Sequence, residues 1–507
     1  MLRRIRLLLA LIFFVGLTLL LLDVSGEMHH LTGWMAKVQL LPAILAVNVL
    51  IVVILLLLTL IFGRLYCSTI CPLGVWQDLV AHLSRRVNKK KKYTYSPALP
   101  WLRYAFLAVF VVLVVAGLTS IAALIAPYSS YARMTVQMFQ PIWTLGNNWL
   151  TSLTGGGPVE FGAWSWAAFG TAFATFFIVS ILAWRGGRTW CNTVCPIGTM
   201  LGFISRHSFF KINFDADKCT KCGQCSRVCK ASCIDHNAQK VDSSRCVTCG
   251  NCLTKCKFGA LHYSISTKNT SAGENNAEVV PDKSRRAFLI GTGVLVSSAL
   301  AQKGKKVGGY MAAIDGKEVP ERKVPLTPPG SHSARIFSQH CTTCQLCVSE
   351  CPNHVLRPST DLLHFLQPTM SFERGFCHPG CTRCSEVCPS GAILPINREE
   401  KKTIHIGQAV WIQKNCLPVS DGVDCGRCER HCPTGAISMQ PFDDMDIESP
   451  MVPKVDPAVC VGCGACEHVC PARPFPAIYV EGYEEHKGSN QKSGGFVGKR
   501  KKKQADS

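Results

Sequence analysis

Histidine is missing from every long apolar run of this 507-residue chain. The runs are Leu7–Leu22, Leu40–Phe62, Leu102–Ala126 and Trp166–Trp184. Each is near the ~20 residues that a bilayer-spanning helix needs, the first a little short. A haem inside such a bundle wants facing histidines, and His29, His30 and His82 all lie near the ends of runs, which argues against haem as the electron carrier there. Acidic residues are also scarce: 33 stand against 54 Lys and Arg, a formal charge of +21. An evenly basic surface would suggest nucleic acid as a partner, but this excess is uneven. Residues 1–283 hold 27 basic and 11 acidic side chains, and residues 284–507 hold 27 and 22. The charge therefore points to membrane topology and to anionic cofactors, and nucleic acid is not expected as a partner. Basic residues are nearly absent from two connections, 23–39 and 127–165, which hold only Lys37 and Arg133. The other flanks carry Arg3, Arg4 and Arg6, then Arg85, Arg86 and Lys89 to Lys92, then Arg185, Arg188, Arg206 and Lys211. By the positive-inside rule both ends of the four-helix bundle are cytoplasmic.

The spacing of a disulfide scaffold is missing as well, although cysteines number 29. Such scaffolds belong to short secreted chains, so metal centres are the better expectation. GRLYCSTICPLG (63–74) and GRTWCNTVCPIG (187–198) align without a gap at an offset of 124. Within each, Cys67 with Cys71 and Cys191 with Cys195 stand at i and i+4, which would place both sulfurs on one helix face. The following proline would end or kink that helix. Two such pairs can converge on a four-thiolate site for zinc, copper or an iron-sulfur centre; isolated buried cysteines packing as small hydrophobes are the alternative.

Directly after the fourth run come Cys219, Cys222, Cys225, Cys229 and then Cys246, Cys249, Cys252, Cys256, two C-x2-C-x2-C-x3-C motifs. This is the bacterial ferredoxin spacing, in which three thiolates of one loop grip one 4Fe-4S cube and the fourth reaches the other. One cluster would then use Cys219, Cys222, Cys225 and Cys256, and the other Cys246, Cys249, Cys252 and Cys229. Lys230 and Lys257 stand where ferredoxins usually have proline, and Cys233 falls outside the pattern as a spare thiol.

Four further groups follow: Cys341, Cys344, Cys347, Cys351; Cys377, Cys381, Cys384, Cys388; Cys416, Cys425, Cys428, Cys432; and Cys460, Cys463, Cys466, Cys470. All end in C-x2-C-x3-C-P, so they predict four more clusters, six in all. Spacing leaves two pairings open, exchange of the fourth cysteine between nearest neighbours or an outer-outer, inner-inner arrangement. CKFGAL, CPSGAI and CPTGAI share a frame of last ligand, Gly turn and short apolar strand, the half-unit of a ferredoxin-like fold whose small core depends on its clusters.

The expected architecture is a membrane α-helical bundle plus two ferredoxin-like α+β cluster-binding domains. Residues 1–211 form the membrane domain, 212–263 a cytoplasmic two-cluster domain and 264–283 a polar linker. Between 284 and 302, Arg285 and Arg286 precede a 15-residue apolar stretch, Ala287 to Ala301. This has the form of a twin-arginine export signal placed in mid-chain, either a cleaved signal or a short fifth anchor. A second linker covers 303–338, the four-cluster domain 339–483, and a basic disordered tail 484–507.

Residues 1–283 resemble the NapH, MauN, NosR and CcoG membrane ferredoxins, on the two C-x3-C-P motifs and the two ferredoxin motifs. Residues 284–507 resemble the NapG and MauM polyferredoxins, on the twin arginines and four cluster motifs. The resemblance implies a quinol dehydrogenase of the inner membrane, passing electrons from menaquinol or ubiquinol through the clusters to a periplasmic reductase or multihaem cytochrome, with the C-terminal domain periplasmic. It also leaves two other readings: electron supply for copper reduction or metalloenzyme maturation, and a polyferredoxin whose second half stays in the cytoplasm. No catalytic residue is assigned. Asp78 and His82, one turn apart after the first C-x3-C-P, either take quinol protons or form an ordinary solvated helix end.

Overall fold

The computed structural model describes residues 2–23, 27–88, 92–154, 165–215, 217–265, 307–309, 312–314, 317–443 and 449–488. The segment at 284–302 and most of the 264–283 linker and of the 484–507 tail lie outside the described residues. The N-terminal part is helical: α1 (Leu2–Leu22), α2 (Glu27–Lys37), α3 (Leu40–Leu45), α4 (Val49–Phe62), α5 (Tyr66–Thr69), α6 (Pro72–Val87), α7 (Pro100–Val115), α8 (Thr119–Ile125), α9 (Pro127–Met134), α10 (Gln140–Thr154), α11 (Trp166–Gly186), α12 (Thr189–Thr193) and α13 (Pro196–Ser205). A π-helical turn, Thr135–Phe139, joins α9 to α10.

Two helices, Arg3–Leu22 and Trp166–Gly186, are long and apolar enough to cross a membrane. The other two expected spans are interrupted. The run at 40–62 breaks between α3 and α4, and the run at 102–126 breaks between α7 and α8. Both breaks have the same hydrogen-bond signature. Asn48 N–H reaches the Ala43 carbonyl and Val47 N–H that of Ile44; Leu118 N–H reaches Leu113 and Gly117 N–H reaches Val114. This is the Schellman closure of a helix C-terminus, which needs a left-handed residue at its turn. Gly117 supplies one at φ 79°, and Val47 adopts φ 52° despite its branched side chain. Asn48 then caps α4, its Oδ1 accepting from Ile51 N–H at 3.3 Å. The stretch at 127–165, expected as a connection, instead contains a helix that runs from Pro127 through the π turn to Thr154.

The offset of 124 recurs in the packing. α6 lies against α11, and α13, its equivalent in the second repeat, lies against α4. Each repeat therefore leans its last helix on the long helix of the other.

Small sheets mark the ferredoxin units, which share the cluster-loop frame expected of them. Phe210–Phe214 pairs antiparallel with Leu261–Ile265, closing the unit that holds Cys219 to Cys256. In the C-terminal unit Ile404–Trp411 pairs with Ile478–Gly488, and Ile437–Pro441 with Met451–Val455. Five of the six thiol loops run into a short helix carrying the third cysteine, as in Gln224–Val228 and Ala465–Val469. The shared Gly turn is present at Gly259, Gly391 and Gly435, all at φ 64–70°, but no strand follows Gly391. There the chain packs on the Pro328–Ser331 turn instead, with Leu394 N–H bonded to the Gly330 carbonyl.

The two units sit at opposite ends of α1. At its start, Arg3 donates to Thr254 Oγ1 of the first unit at 3.5 Å, and at the end of α4 the Phe62 carbonyl accepts from the Tyr263 hydroxyl at 3.0 Å. The far end of α1 packs on Leu346–Ser349 of the second unit, and there the two helix breaks form the platform. The Leu45 carbonyl meets His340 Nδ1 at 2.7 Å, Ala46 lies under Gly391, and Thr119 Oγ1 donates to the Ser338 carbonyl at 2.5 Å. Because Val47 is 71% exposed and sits in a left-handed conformation that costs a branched residue roughly 1–2 kcal/mol, Val47→Gly is expected to raise stability by about 1 kcal/mol. A higher thermal midpoint in detergent is the expected readout; an unchanged or lower one would count against a left-handed turn at this break.

Candidate functional site: buried thiols between two ferredoxin units

The paired cysteines of the 124-residue repeat do not share a helix face. Cys71 and Cys195 are the N-caps of α6 and α13, with Pro72 and Pro196 in the first turn. Proline tolerates that position because its missing N–H would be unpaired there anyway, so it starts a helix where it was expected to end one. Cys67 and Cys191 lie in the short helices α5 and α12 just before. The four thiols are buried and come together from the two repeats, each of Cys71, Cys191 and Cys195 interacting electrostatically with thiols of the other pair.

Around them the repeats clasp one another crosswise. Arg188 Nη1 donates to the Cys67 carbonyl at 2.5 Å, and Arg64 Nη2 donates to the Cys191 carbonyl at 3.3 Å. Any Cβ on Gly74 would strike the Cys67 carbonyl, and one on Gly198 the Cys191 carbonyl, which explains the closing glycine of each repeat copy. Gln77 Nε2 approaches Cys191 Sγ at 3.1 Å, and Gly198 N–H approaches Cys195 Sγ at 3.3 Å. Arg64 and Arg188 are completely buried, yet Arg64 Nε and Arg188 Nη2 have no partner among the described residues. Buried cations and unpaired donors cost free energy unless an anionic group accompanies them. Four thiolates on an iron-sulfur core carry net negative charge, so the residues present fit such a centre. Among the described residues no three of His, Cys, Asp or Glu gather closely enough to hold a single metal ion.

Asp78 is the hub beneath this site. Its carboxylate pairs with Arg188 Nε at 2.7 Å, with Arg6 at 3.3 Å and with Lys230. Burial alone would raise its pKa, but Arg188 and then Lys230 outweigh that and hold it well below the usual carboxylate range. Asp78 is therefore neither a solvated helix end nor a ready proton acceptor, and His82, one turn on, is exposed. The same contact explains the lysine at 230: its ammonium reaches Asp78, and its carbonyl accepts from Arg188 N–H at 2.8 Å. Lys257 is exposed.

The ferredoxin cysteines form four-thiol cradles. Cys219, Cys222, Cys225 and Cys256 line one cavity of about 350 Å³, its open mouth included. Cys229, Cys246, Cys249 and Cys252 line another of about 300 Å³, joined by Cys233. In the C-terminal unit Cys351 lines a cavity with Cys377, Cys381 and Cys384, while Cys388 interacts with Cys341, Cys344 and Cys347. Cys470 interacts with Cys416 and Cys428, beside Cys425, and Cys432 with Cys460 and Cys463, beside Cys466. The geometry is nearest-neighbour exchange. Cys377 N–H bonded to the Cys463 carbonyl at 2.9 Å ties the two halves of this unit together.

Three residues escaped the sequence reading. Lys401 is buried and points its ammonium at Cys377 Sγ, 3.2 Å away. Gln39, fully buried, donates to the Ile70 carbonyl at 3.3 Å and accepts from the Tyr66 hydroxyl at 3.0 Å. Glu350, beside Cys351, is buried, and neither of its oxygens has a partner among the described residues; burial, followed by Asp23, pushes its carboxyl up to about 7. Lys401 lies in a charged stretch and Gln39 at the edge of an apolar run, and both are visible only through packing; a Glu directly before a ligand cysteine was the one available signal.

Family models described as a 4Fe-4S binding domain match residues 44–91 and 167–215, which hold Cys67 and Cys71, and Cys191 and Cys195. Models described as 4Fe-4S dicluster domains match 211–257 and 423–473. The ferredoxin-type protein MauM of Methylobacillus flagellatus is 30% identical over 154 residues, 29% of this chain and 63% of that protein. NapF of Escherichia coli is 28% identical over 159 residues, 31% of this chain and 87% of NapF. NapG of Escherichia coli is 31% identical over 208 residues, 39% of this chain and 86% of NapG. No solved structure matches.

Removing the Asp78 charge leaves three buried cations facing one another. Asp78→Asn is expected to cost on the order of 3–5 kcal/mol, read as a lower unfolding midpoint in detergent. Since the folded pKa is depressed, this contribution is present above the ordinary carboxylate value of about 4 and is lost only as pH falls through the folded value. The wild-type minus variant difference should stay flat from pH 6 to 8; a slope there would contradict the ion-pair assignment.

Proposed function

Because the chain belongs to the ferredoxin-type iron-sulfur proteins represented by NapG, we propose that it is a quinol dehydrogenase of the inner membrane, passing electrons from the quinol pool to a periplasmic acceptor protein. The observation that carries this reading is the placement of one ferredoxin unit at each end of α1, with four buried thiols between them. The helices offer lipid an apolar surface: Leu50, Val112, Val115 and Trp149 are all at least 65% exposed, more than a soluble monomer leaves uncovered. α4 and α7, of 14 and 16 residues, are about 21 and 24 Å long, so they span with the help of the interfacial segments α3, α8 and α9.

The six ferredoxin cradles hold six 4Fe-4S clusters, and Cys67, Cys71, Cys191 and Cys195 hold a seventh iron-sulfur centre. Bound there, each would supply a one-electron carrier. The chain's own part is to neutralise, space and connect them. Arg64 and Arg188 offset negative charge at the membrane thiols, and Lys401 does so at Cys377. Gln39 joins the membrane loop to the far unit: its amide reaches the carbonyl next to Cys71. From Leu40 the six residues of α3, about 9 Å, lead to the Leu45 carbonyl and to His340, which directly precedes Cys341. Electrons from either unit therefore have a short, packed route through the bundle.

In the purified, cluster-loaded protein a menaquinol analogue is expected to bleach the cluster absorbance. Failure to do so, together with rapid oxidation of the reduced clusters by cupric ion, would replace this reading with copper reduction. Cys71→Ser/Cys195→Ser should lose the iron and sulfide of one centre. It should also confine quinol reduction to one ferredoxin unit, although dithionite still reduces both. An unchanged iron content would remove the seventh centre from the scheme.

A further inference from the structure

The cradle of Cys229, Cys246, Cys249 and Cys252 has one thiol more than a cube can use. Cys233 lines the same cavity, is 1% exposed, and lies with its Sγ 3.5 Å from that of Cys229. It is also within hydrogen-bond range of Cys246. The backbone brings it there by a tight return. Cys229 caps the helix Gln224–Val228, Ser232 N–H bonds back to the Cys229 carbonyl at 3.0 Å, and Ser232 adopts φ 49°, a conformation unfavourable for a non-glycine residue. Asp242 N–H then fixes the Cys233 carbonyl at 2.9 Å. The other cavity of this unit, built by the same motif, is lined by four thiols and no fifth. Packing alone asks only for a small apolar group at 233. It does not ask for a sulfur turned toward the cavity beside the one ligand that crosses from the neighbouring motif.

We propose that Cys233 is a reserve ligand that can take over the iron held by Cys229. In the exchange the Cys233 sulfur bonds iron and releases its proton, the iron bond to Cys229 breaks, and the Cys229 sulfur takes up a proton. No electron is transferred, so no oxidant or reductant is needed. The exchange keeps the cluster nearest the bundle in place when the Cys229 thiolate is lost. Lys230, next to Cys229, anchors that cluster's loop to Asp78, so loss of the cluster would loosen the joint between unit and bundle.

The inference rests on the four-thiolate assignment of this cavity, and iron and acid-labile sulfide per chain test the two separately in the full-length detergent-solubilised protein. Cys249→Ala should lose one 4Fe-4S equivalent; retention of all iron would overturn the assignment itself. Cys229→Ala should keep the wild-type complement, with an altered EPR signal from the changed ligand set, whereas Cys229→Ala/Cys233→Ala should lose one 4Fe-4S equivalent. Equal losses in the single and double variants would overturn the reserve-ligand role. A second readout does not depend on Cys229→Ala folding: Cys233→Ala should start fully loaded but lose its cluster EPR signal faster than wild type under air. Equal rates would also overturn the role.

Discussion

Arg64 and Arg188 are fully buried cations set against the two repeat-cysteine loops, where the thiolate centre we propose would need positive charge. Each belongs to one repeat and bonds the cysteine loop of the other, so the contact that balances the charge also fastens the two halves. Both side chains lie in a layer that continues into the first ferredoxin unit, Arg64 through the Ser244 carbonyl at 2.9 Å and Arg188 through Asp78 to Lys230. Cofactor site, repeat interface and domain interface thus share the same few residues. Substitutions within this layer should couple strongly and not add.

The other end of the bundle follows a different logic. Two helices stop early in Schellman turns, and the carbonyls and side chains at those ends receive the four-cradle unit. Breaking both runs, after α3 and after α7, leaves α3 and α8 to lie where the two parts meet. Docking surface and short route are consequences of the same breaks.

Much of this was legible in the sequence. The ferredoxin loops are local: three thiols within seven residues make a cradle wherever the chain goes, and the 124-residue repeat announced its own symmetry. The breaks at Val47 and Gly117 were not legible, because apolar residues continue across both and only Gly117 carries a conformational signal. The role of Pro72 and Pro196 was misread for a related reason. Proline marks a helix boundary without saying which side is helical. Lys230 looked like a departure from a motif until its partner, 152 positions away in sequence, came into contact through folding. Among the four C-terminal motifs, the pairing of fourth cysteines needed the relative placement of loops, which spacing does not encode.

In the proposed topology the two ferredoxin units lie on opposite sides of one membrane and are joined through the buried thiols. Protease added to intact spheroplasts tests it most directly, with one epitope in the 217–265 unit and another in the 449–488 region. The C-terminal epitope should be lost while the other persists until the membrane is lysed. Protection of both epitopes in intact spheroplasts, or loss of both, would contradict it.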